Sequence, residues 1–246
     1  MSKKVLVPLA NGFEEIEFVS IVDTLRRAQI EVLIAGVSDE DSANGAGGAK
    51  SSSVSANGTS RSYTGAHGIA ISADATLDSL DSSALAGFDG VALAGGWQGM
   101  LNLKASQKLR KILREFKAEG KLVSAICASP IVLDAAGVLG GKFACYPSCE
   151  KFAYEDTSVD SSAGADKGAK SPSDTDKNTE KPLKGAYQPK ASVVREGNLI
   201  TAAGPATGVL FALEIIAYLL GQAQSQSIAS QMLIPYLNHS AEILRS

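Results

Sequence analysis

The sequence predicts an α/β fold, a doubly wound and mostly parallel sheet sandwiched by helices in the flavodoxin-like manner. Three observations carry that expectation. Short, largely apolar stretches at 4–7, 89–93 and 121–126 suit parallel strands buried on both faces. Segments with apolar residues at helical spacing alternate with these runs, the pattern of successive β-α-β units. The run at 121–126 stops on Cys127 and restarts as a helix near Pro130, which reads as a strand, a sharp turn and a helix start.

Taken in order, Lys4-Val5-Leu6-Val7 is the first strand, ending near Pro8 and Leu9, and Asn11-Gly12 turns the chain into a helix over 14–28. Ile16, Val19, Val22 and Leu25 recur there at helical spacing, with acids in the first turn and Arg26 and Arg27 in the last, as the helix dipole favours. Residues 31–37 form the second strand of a right-handed crossover unit. From 38 to about 66 the chain is rich in Ser, Gly, Ala and Asn, with Val54 and Tyr63 as its large apolar side chains, and is expected to be a low-complexity insertion. A short strand at 68–72, a helical or irregular stretch at 78–85 and a buried strand at 89–93 follow, the last running into Ala94-Gly95-Gly96-Trp97. An amphipathic helix is expected over 104–119, then the strand ending at Cys127, a helix over 131–136 and a strand over 142–146. A second low-complexity insertion is expected at 155–190. Beyond it come a hairpin, 191–194 with 199–201 around Glu196-Gly197-Asn198, an apolar helix over 208–220 and a further helix over 228–237. The whole, 1–246, is expected to be one domain carrying two insertions.

Composition narrows the function classes. A net charge of −3 gives no reason to expect a nucleic-acid partner, and no span reads as membrane-crossing. The start Met1-Ser2-Lys3-Lys4 precedes an apolar run too short for a secretory signal. Three cysteines, an odd number, argue for free thiols in a reducing compartment, so the expected location is cytoplasmic. In that setting Asn57-Gly58-Thr59 and Asn238-His239-Ser240 are chance matches to a glycosylation triplet.

Cys127 is the residue with the clearest chemistry. On a strand-to-helix turn its thiol is lifted from the sheet toward unpaired N–H groups and the positive end of a helix, both of which favour thiolate. The competing reading is a small packing residue, because free cysteine is often buried. The double glycine, Gly95 and Gly96, sits at another strand's C-terminal end, where backbone can approach a ligand closely. Cys145 and Cys149, spaced C-x3-C without nearby histidine, read as packing thiols and not as metal ligands.

Three loops, those entering the first helix, following the double glycine and carrying Cys127, should meet at the sheet's C-terminal edge. Their motifs are Asn11-Gly12-Phe13-Glu14-Glu15-Ile16-Glu17, Ala94-Gly95-Gly96 and Ala125-Ile126-Cys127-Ala128-Ser129-Pro130, with Gly204-Pro205-Ala206-Thr207 as a fourth. In content and order they resemble the DJ-1/ThiJ/PfpI superfamily, specifically its DJ-1-like branch. The resemblance implies that Cys127 is a nucleophile, that Glu17 is its acidic partner and that the N–H groups of Gly96 and Ala128 form an oxyanion pocket. Proton shuttling by an acid beside a thiolate, and two donors for a developing alkoxide, are also what the chemistry asks for.

The chain departs from its relatives in two places. Tyr146 stands where many of them have histidine, and Ala128 stands where the peptidase-like branch has one, which argues against a protease. His67, beside the first insertion, is a candidate to approach the pocket across a dimer; Trp97 is a candidate pocket wall, and Arg27 a candidate anion site or a solvated helix end. The expectation is therefore a cofactor-independent, metal-free glyoxalase or deglycase acting on methylglyoxal-like 2-oxoaldehydes, as a homodimer. The competing expectation is an oxidative-stress sensor or chaperone in which Cys127 itself is oxidised.

Overall fold

The computed structural model describes residues 2–37, 61–153 and 181–235. Its centre is a seven-stranded sheet built from β1 (Lys4–Leu9), β2 (Glu31–Gly36), β5 (Ala75–Thr76), β6 (Gly90–Leu93), β7 (Leu122–Ile126), β10 (Val193–Glu196) and β11 (Leu199–Ala202), in the order β10-β11-β7-β6-β1-β2-β5. Every pairing is parallel except the hairpin of β10 with β11. The expected α/β, flavodoxin-like sandwich is the fold. Val5, Leu6 and Val7 of β1, Val91 to Leu93 of β6, and Leu122, Val123 and Ile126 of β7 have no exposed surface, as strands covered on both faces require. The polar Ser124 is tolerated in β7 because its Oγ donates to Val91 O at 2.8 Å.

Helices cover both faces: α1 (Glu15–Arg27), α2 (Ser82–Ala86), α3 (Trp97–Ala105), α4 (Gln107–Ala118), α5 (Pro130–Ala135), α6 (Gly208–Leu220) and α7 (Gln222–Gln231). Helix α1 buries Phe18, Ile21, Val22 and Leu25, while Ile16 and Val19 of the expected apolar stripe are 60% and 49% exposed. Helix α6 packs along α1, and Gly208 makes this possible, since a Cβ there would lie 3.0 Å from Ser20 Cβ. The expected helix at 104–119 is two helices that meet at Ser106. That residue closes α3 and caps α4, its Oγ accepting from Leu109 N–H at 3.2 Å.

Other expectations change at their edges. The strand expected at 68–72 is β4 (Ala70–Ser72), which pairs with β3 (Ser62–Thr64) in a separate hairpin outside the main sheet. Tyr63 of β3 is buried with its ring against Gly36, so residues 61–66 belong to the folded body and not to an insertion. The strand expected at 142–146 shrinks to β8 (Lys142–Phe143), paired with β9 (Ala186–Tyr187). Leu183, buried, and β9 lie within the insertion expected at 155–190, so its last ten residues, 181–190, are packed structure. The remainder of both expected insertions, 38–60 and 155–180, lies outside the described residues, as do Asn57 and His239. The helix expected at 228–237 ends at Gln231 and begins earlier, as α7.

Candidate active site

The strand order reverses between β1 and β6, the position where open α/β sheets bind ligands beyond their carboxyl ends. Three chain segments converge there, from the ends of β1, β6 and β7. Cys127, directly after β7, is 8% exposed and holds φ at 64°, left-handed backbone that a residue with a Cβ adopts only at a cost of about 1–3 kcal/mol. Two hydrogen bonds hold it there: Cys127 N–H donates to Ala202 O at 3.0 Å and Tyr146 N–H donates to Cys127 O at 2.8 Å. Ser129 Oγ, fully buried, donates to Ala94 O at 2.6 Å and so fastens this elbow to the double-glycine turn.

Glu17 enters from the first turn of α1. Glu14 starts that helix, accepting Glu17 N–H on its own Oε2 at 2.7 Å, and Glu14 N–H in turn donates to Gly95 O at 3.0 Å. The Glu17 side chain is fully buried; Gly95 N–H donates to its Oε2 at 2.7 Å, and Oε1 has no hydrogen-bond partner of ordinary geometry. The carboxyl group lies beside the Cys127 thiol. A Cβ on Gly95 would stand 2.6 Å from Cys127 Cβ and 2.8 Å from Glu17 Oε2, so glycine is what lets acid and thiol meet. Gly96 holds φ at 89°, leaves no room for a Cβ, which would collide with Gly12 O, and turns its N–H to the Cys127 sulfur. No acceptor among the described residues takes the Ala128 N–H.

Burial pushes the Glu17 carboxyl up to about 7, with the Gly95 N–H and the Cys127 thiol opposing and the Glu14 charge adding. Burial likewise pushes the Cys127 thiol up, the Glu17 charge reinforcing it and the Gly96 N–H opposing. This corrects the expectation that a helix start alone favours thiolate: α5 is six residues long and desolvation outweighs it. Two adjacent anions repel, so the proton that Glu17 gives up near neutrality leaves the second one on Cys127, and a thiolate forms there when that proton passes to the Glu17 carboxylate.

The other sequence candidates are placed as follows. Trp97 opens α3 half-buried, its ring edge-on to Phe152 at 5.8 Å. Tyr146 is 50% exposed, lies over Gly204 and is joined to the elbow by the hydrogen bond from its backbone N–H. Arg27 is not in the pocket: it closes the opposite end of α1 and pairs with Asp23 at 2.7 Å, in the open. His67 also points elsewhere. Its Nδ1 meets Glu15 Oε2 at 2.8 Å and its N–H donates to Glu15 Oε1 at 2.6 Å, and residues two apart on a helix, Glu15 and Glu17, project from different faces. Glu14, Glu15 and His67 are, among the described residues, the one group whose ligand atoms cluster closely enough to suggest a metal. Glu15, however, is already committed to His67 and the Ile69 N–H, which makes this a clasp fastening the 65–69 loop to α1. Ser129 and Phe152 are the site residues that sequence reasoning left without a role. Only Ser129, small and polar just after the candidate nucleophile, offered a signal.

The model of the DJ-1/PfpI family matches residues 3–218. The chain belongs to the DJ-1/PfpI family. Similar DJ-1/PfpI relatives include Protein dj-1beta of Drosophila melanogaster, 32% identical over 96% of this chain and 100% of that one. The Parkinson disease protein 7 homolog of Danio rerio is 29% identical over 94% and 97%. A deglycase of Pyrococcus horikoshii is 32% identical over 56% of this chain and 69% of its own length. Among solved DJ-1/PfpI structures, Drosophila melanogaster DJ-1beta superposes with a TM-score of 0.68 at 31% identity, covering 95% of this chain and 98% of that one. An oxidized DJ-1 of Toxoplasma gondii superposes with a TM-score of 0.65 at 29% identity, covering 94% and 98%.

Proposed function

We propose that the protein is a cofactor-independent, cysteine-dependent glyoxalase or deglycase acting on small 2-oxoaldehydes such as methylglyoxal, or on their adducts. The observation that carries this reading is the buried Glu17 carboxyl group against Cys127, an acid held near neutrality beside a thiol on a strained elbow. A relative named as a deglycase supports it at the level of the family.

In the reaction, the Cys127 thiolate adds to the aldehyde carbon and forms a C–S bond. The carbonyl pair becomes an alkoxide held by the N–H groups of Gly96 and Ala128. Glu17 protonates this oxygen and, as carboxylate, takes the proton from the former aldehyde carbon and returns it to the neighbouring carbon, while the hydroxyl proton on the first carbon passes to the oxygen of the second. That internal redox step turns the hemithioacetal into a thioester of a 2-hydroxy acid. Water then breaks the C–S bond, so that methylglyoxal and water give lactate and regenerate the thiol.

A cytoplasmic homodimer is part of the proposal. It rests on three free thiols, on the apolar side chains Ile16 and Val19 exposed on α1, and on Leu210 and Leu220 exposed on the adjoining α6. Among the described residues no helix is long and apolar enough to cross a membrane. The second reading, an oxidation sensor using Cys127, is favoured by the Gly96 N–H on the sulfur, a donor equally suited to an oxidised one, and by the relative solved in an oxidized state. The deciding experiment is lactate formation from methylglyoxal by purified protein free of metal and glutathione. Turnover that vanishes in Cys127→Ala supports the enzyme, and no turnover in the wild type overturns it.

A further inference from the structure

Cys149 is a buried thiol that the proposed reaction does not use. It follows three exposed residues, Tyr146, Pro147 and Ser148, and Ser148 takes the left-handed conformation, φ 77°, that folds the chain back inward. Two backbone hydrogen bonds tie this turn to the elbow. Tyr146 N–H donates to Cys127 O at 2.8 Å, and Cys149 N–H donates to Tyr146 O at 2.9 Å, so the backbone of Tyr146 bridges those of Cys127 and Cys149 with one hydrogen bond on each side. The Cys149 thiol lies within electrostatic reach of both Cys127 and Glu17. Cys145 lies near Cys149 but is not among the groups that act on Cys127. Cys149 opens a single 3-10 turn, Cys149–Lys151, that lies outside the main sheet, so a shift of this turn breaks no bond of the seven-stranded ladder.

We propose that Cys149 is a resolving thiol, which captures Cys127 after a peroxide has oxidised it and closes an intrachain Cys127–Cys149 disulfide. The oxidant is hydrogen peroxide. Cys127 thiolate attacks one peroxide oxygen; an S–O bond forms, the O–O bond breaks, and the departing hydroxide leaves as water with the Glu17 proton. Glu17, now a carboxylate whose charge acts on Cys149, takes up the Cys149 proton. Cys149 sulfur attacks Cys127 sulfur, the S–S bond forms, the S–O bond breaks, and the second oxygen leaves as water. Two thiols and one peroxide thus give one disulfide and two waters. A neighbouring thiol acts at an effective concentration of order mM or above, whereas sulfinic acid needs a second peroxide from solution, so capture precedes over-oxidation.

The inference rests on Cys127 being the reactive thiol of the proposed function, but not on aldehyde turnover, and its test is read by mass. Reduced full-length protein is treated with stoichiometric hydrogen peroxide, its free thiols are alkylated, and it is digested with trypsin. Cleavage after Lys142 places Cys127 on one peptide and Cys145 and Cys149 together on the next. The expected product is a cross-link between these peptides. It should persist in Cys145→Ala and be absent in Cys149→Ala, where sulfinic acid at Cys127 rises roughly tenfold over wild type.

A second readout needs no variant. Trp97 is the sole tryptophan and packs on Phe152, the residue after the turn Cys149–Lys151, so peroxide should change its fluorescence and dithiothreitol should restore it. Equal sulfinic acid in wild type and Cys149→Ala, a disulfide confined to the second peptide, or a fluorescence change that dithiothreitol leaves in place would each overturn the proposal. Cross-link without methylglyoxal turnover would instead remove the proposed reaction and leave the resolving role standing.

Discussion

Glu17 is the residue whose environment does most to define this site, and its titration yields a stability signature independent of any substrate. Its ordinary value of 4.5 is raised to about 7 by burial. The folded state therefore binds this proton more tightly than the unfolded chain does. Its contribution to stability is complete below about 4.5 and is lost as pH rises through about 7, an effect of about 3 kcal/mol from the size of the shift. Glu17→Gln cannot ionise, so denaturant melts at pH 4 and pH 8 should show the variant gaining on wild type by about that amount across the interval. Identical pH slopes in the two proteins would mean that the carboxyl group is not held as an acid. The same variant should lose at least about a hundredfold in aldehyde turnover, the scale of general acid–base catalysis, while Cys127 remains alkylatable. Near-normal turnover would mean that Glu17 is not the proton carrier.

The site is assembled from the ends of three elements, and Ser129 is the bolt between two of them. Ser129→Ala leaves the Ala94 carbonyl buried and unpaired, at a cost of about 1–3 kcal/mol. It also frees the double-glycine turn, with its donors to Glu17 and Cys127, to drift from the elbow. Thermal melts should show the loss of stability and methylglyoxal kinetics a fall in kcat; a variant with wild-type melting and kcat would show that the turn holds itself. Elements of this kind were legible in the sequence where one physical signal dominated, as in the largely apolar runs of β1, β6 and β7 and the dipole-matched charges of α1. They were hidden where a tertiary contact sets the local structure. Helix α3 begins within what reads as a glycine turn, and Gly99 sits inside it because a Cβ there would come 2.8 Å from the Phe13 backbone. The meeting of Cys127 and Glu17 was readable through motif order, whereas the raised thiol was not, because desolvation depends on everything packed around it.

At the scale of the molecule, the boundary between body and insertion shows what composition can miss. One apolar residue suffices to anchor a polar stretch: Leu183 is buried and its N–H donates to Glu150 O at 2.8 Å, so Leu183→Ala should cost about 2–5 kcal/mol in a denaturant melt. The outer face of α1 and α6 leaves Val19 49% and Leu210 42% exposed on helices packed side by side. A two-fold dimer through this face would bury both, and each substitution would then count twice, because an isologous contact repeats every residue. Val19→Glu with Leu210→Glu should therefore weaken association by at least roughly a hundredfold, since each 1.4 kcal/mol is a factor of ten and buried unpaired carboxylates cost more than that. Sedimentation of the wild type at micromolar concentration should give twice the 25.4 kDa chain mass, and the double variant the chain mass alone with its fold intact. A wild type that sediments as a monomer would remove the dimer, and a dimeric double variant would move the interface to another face.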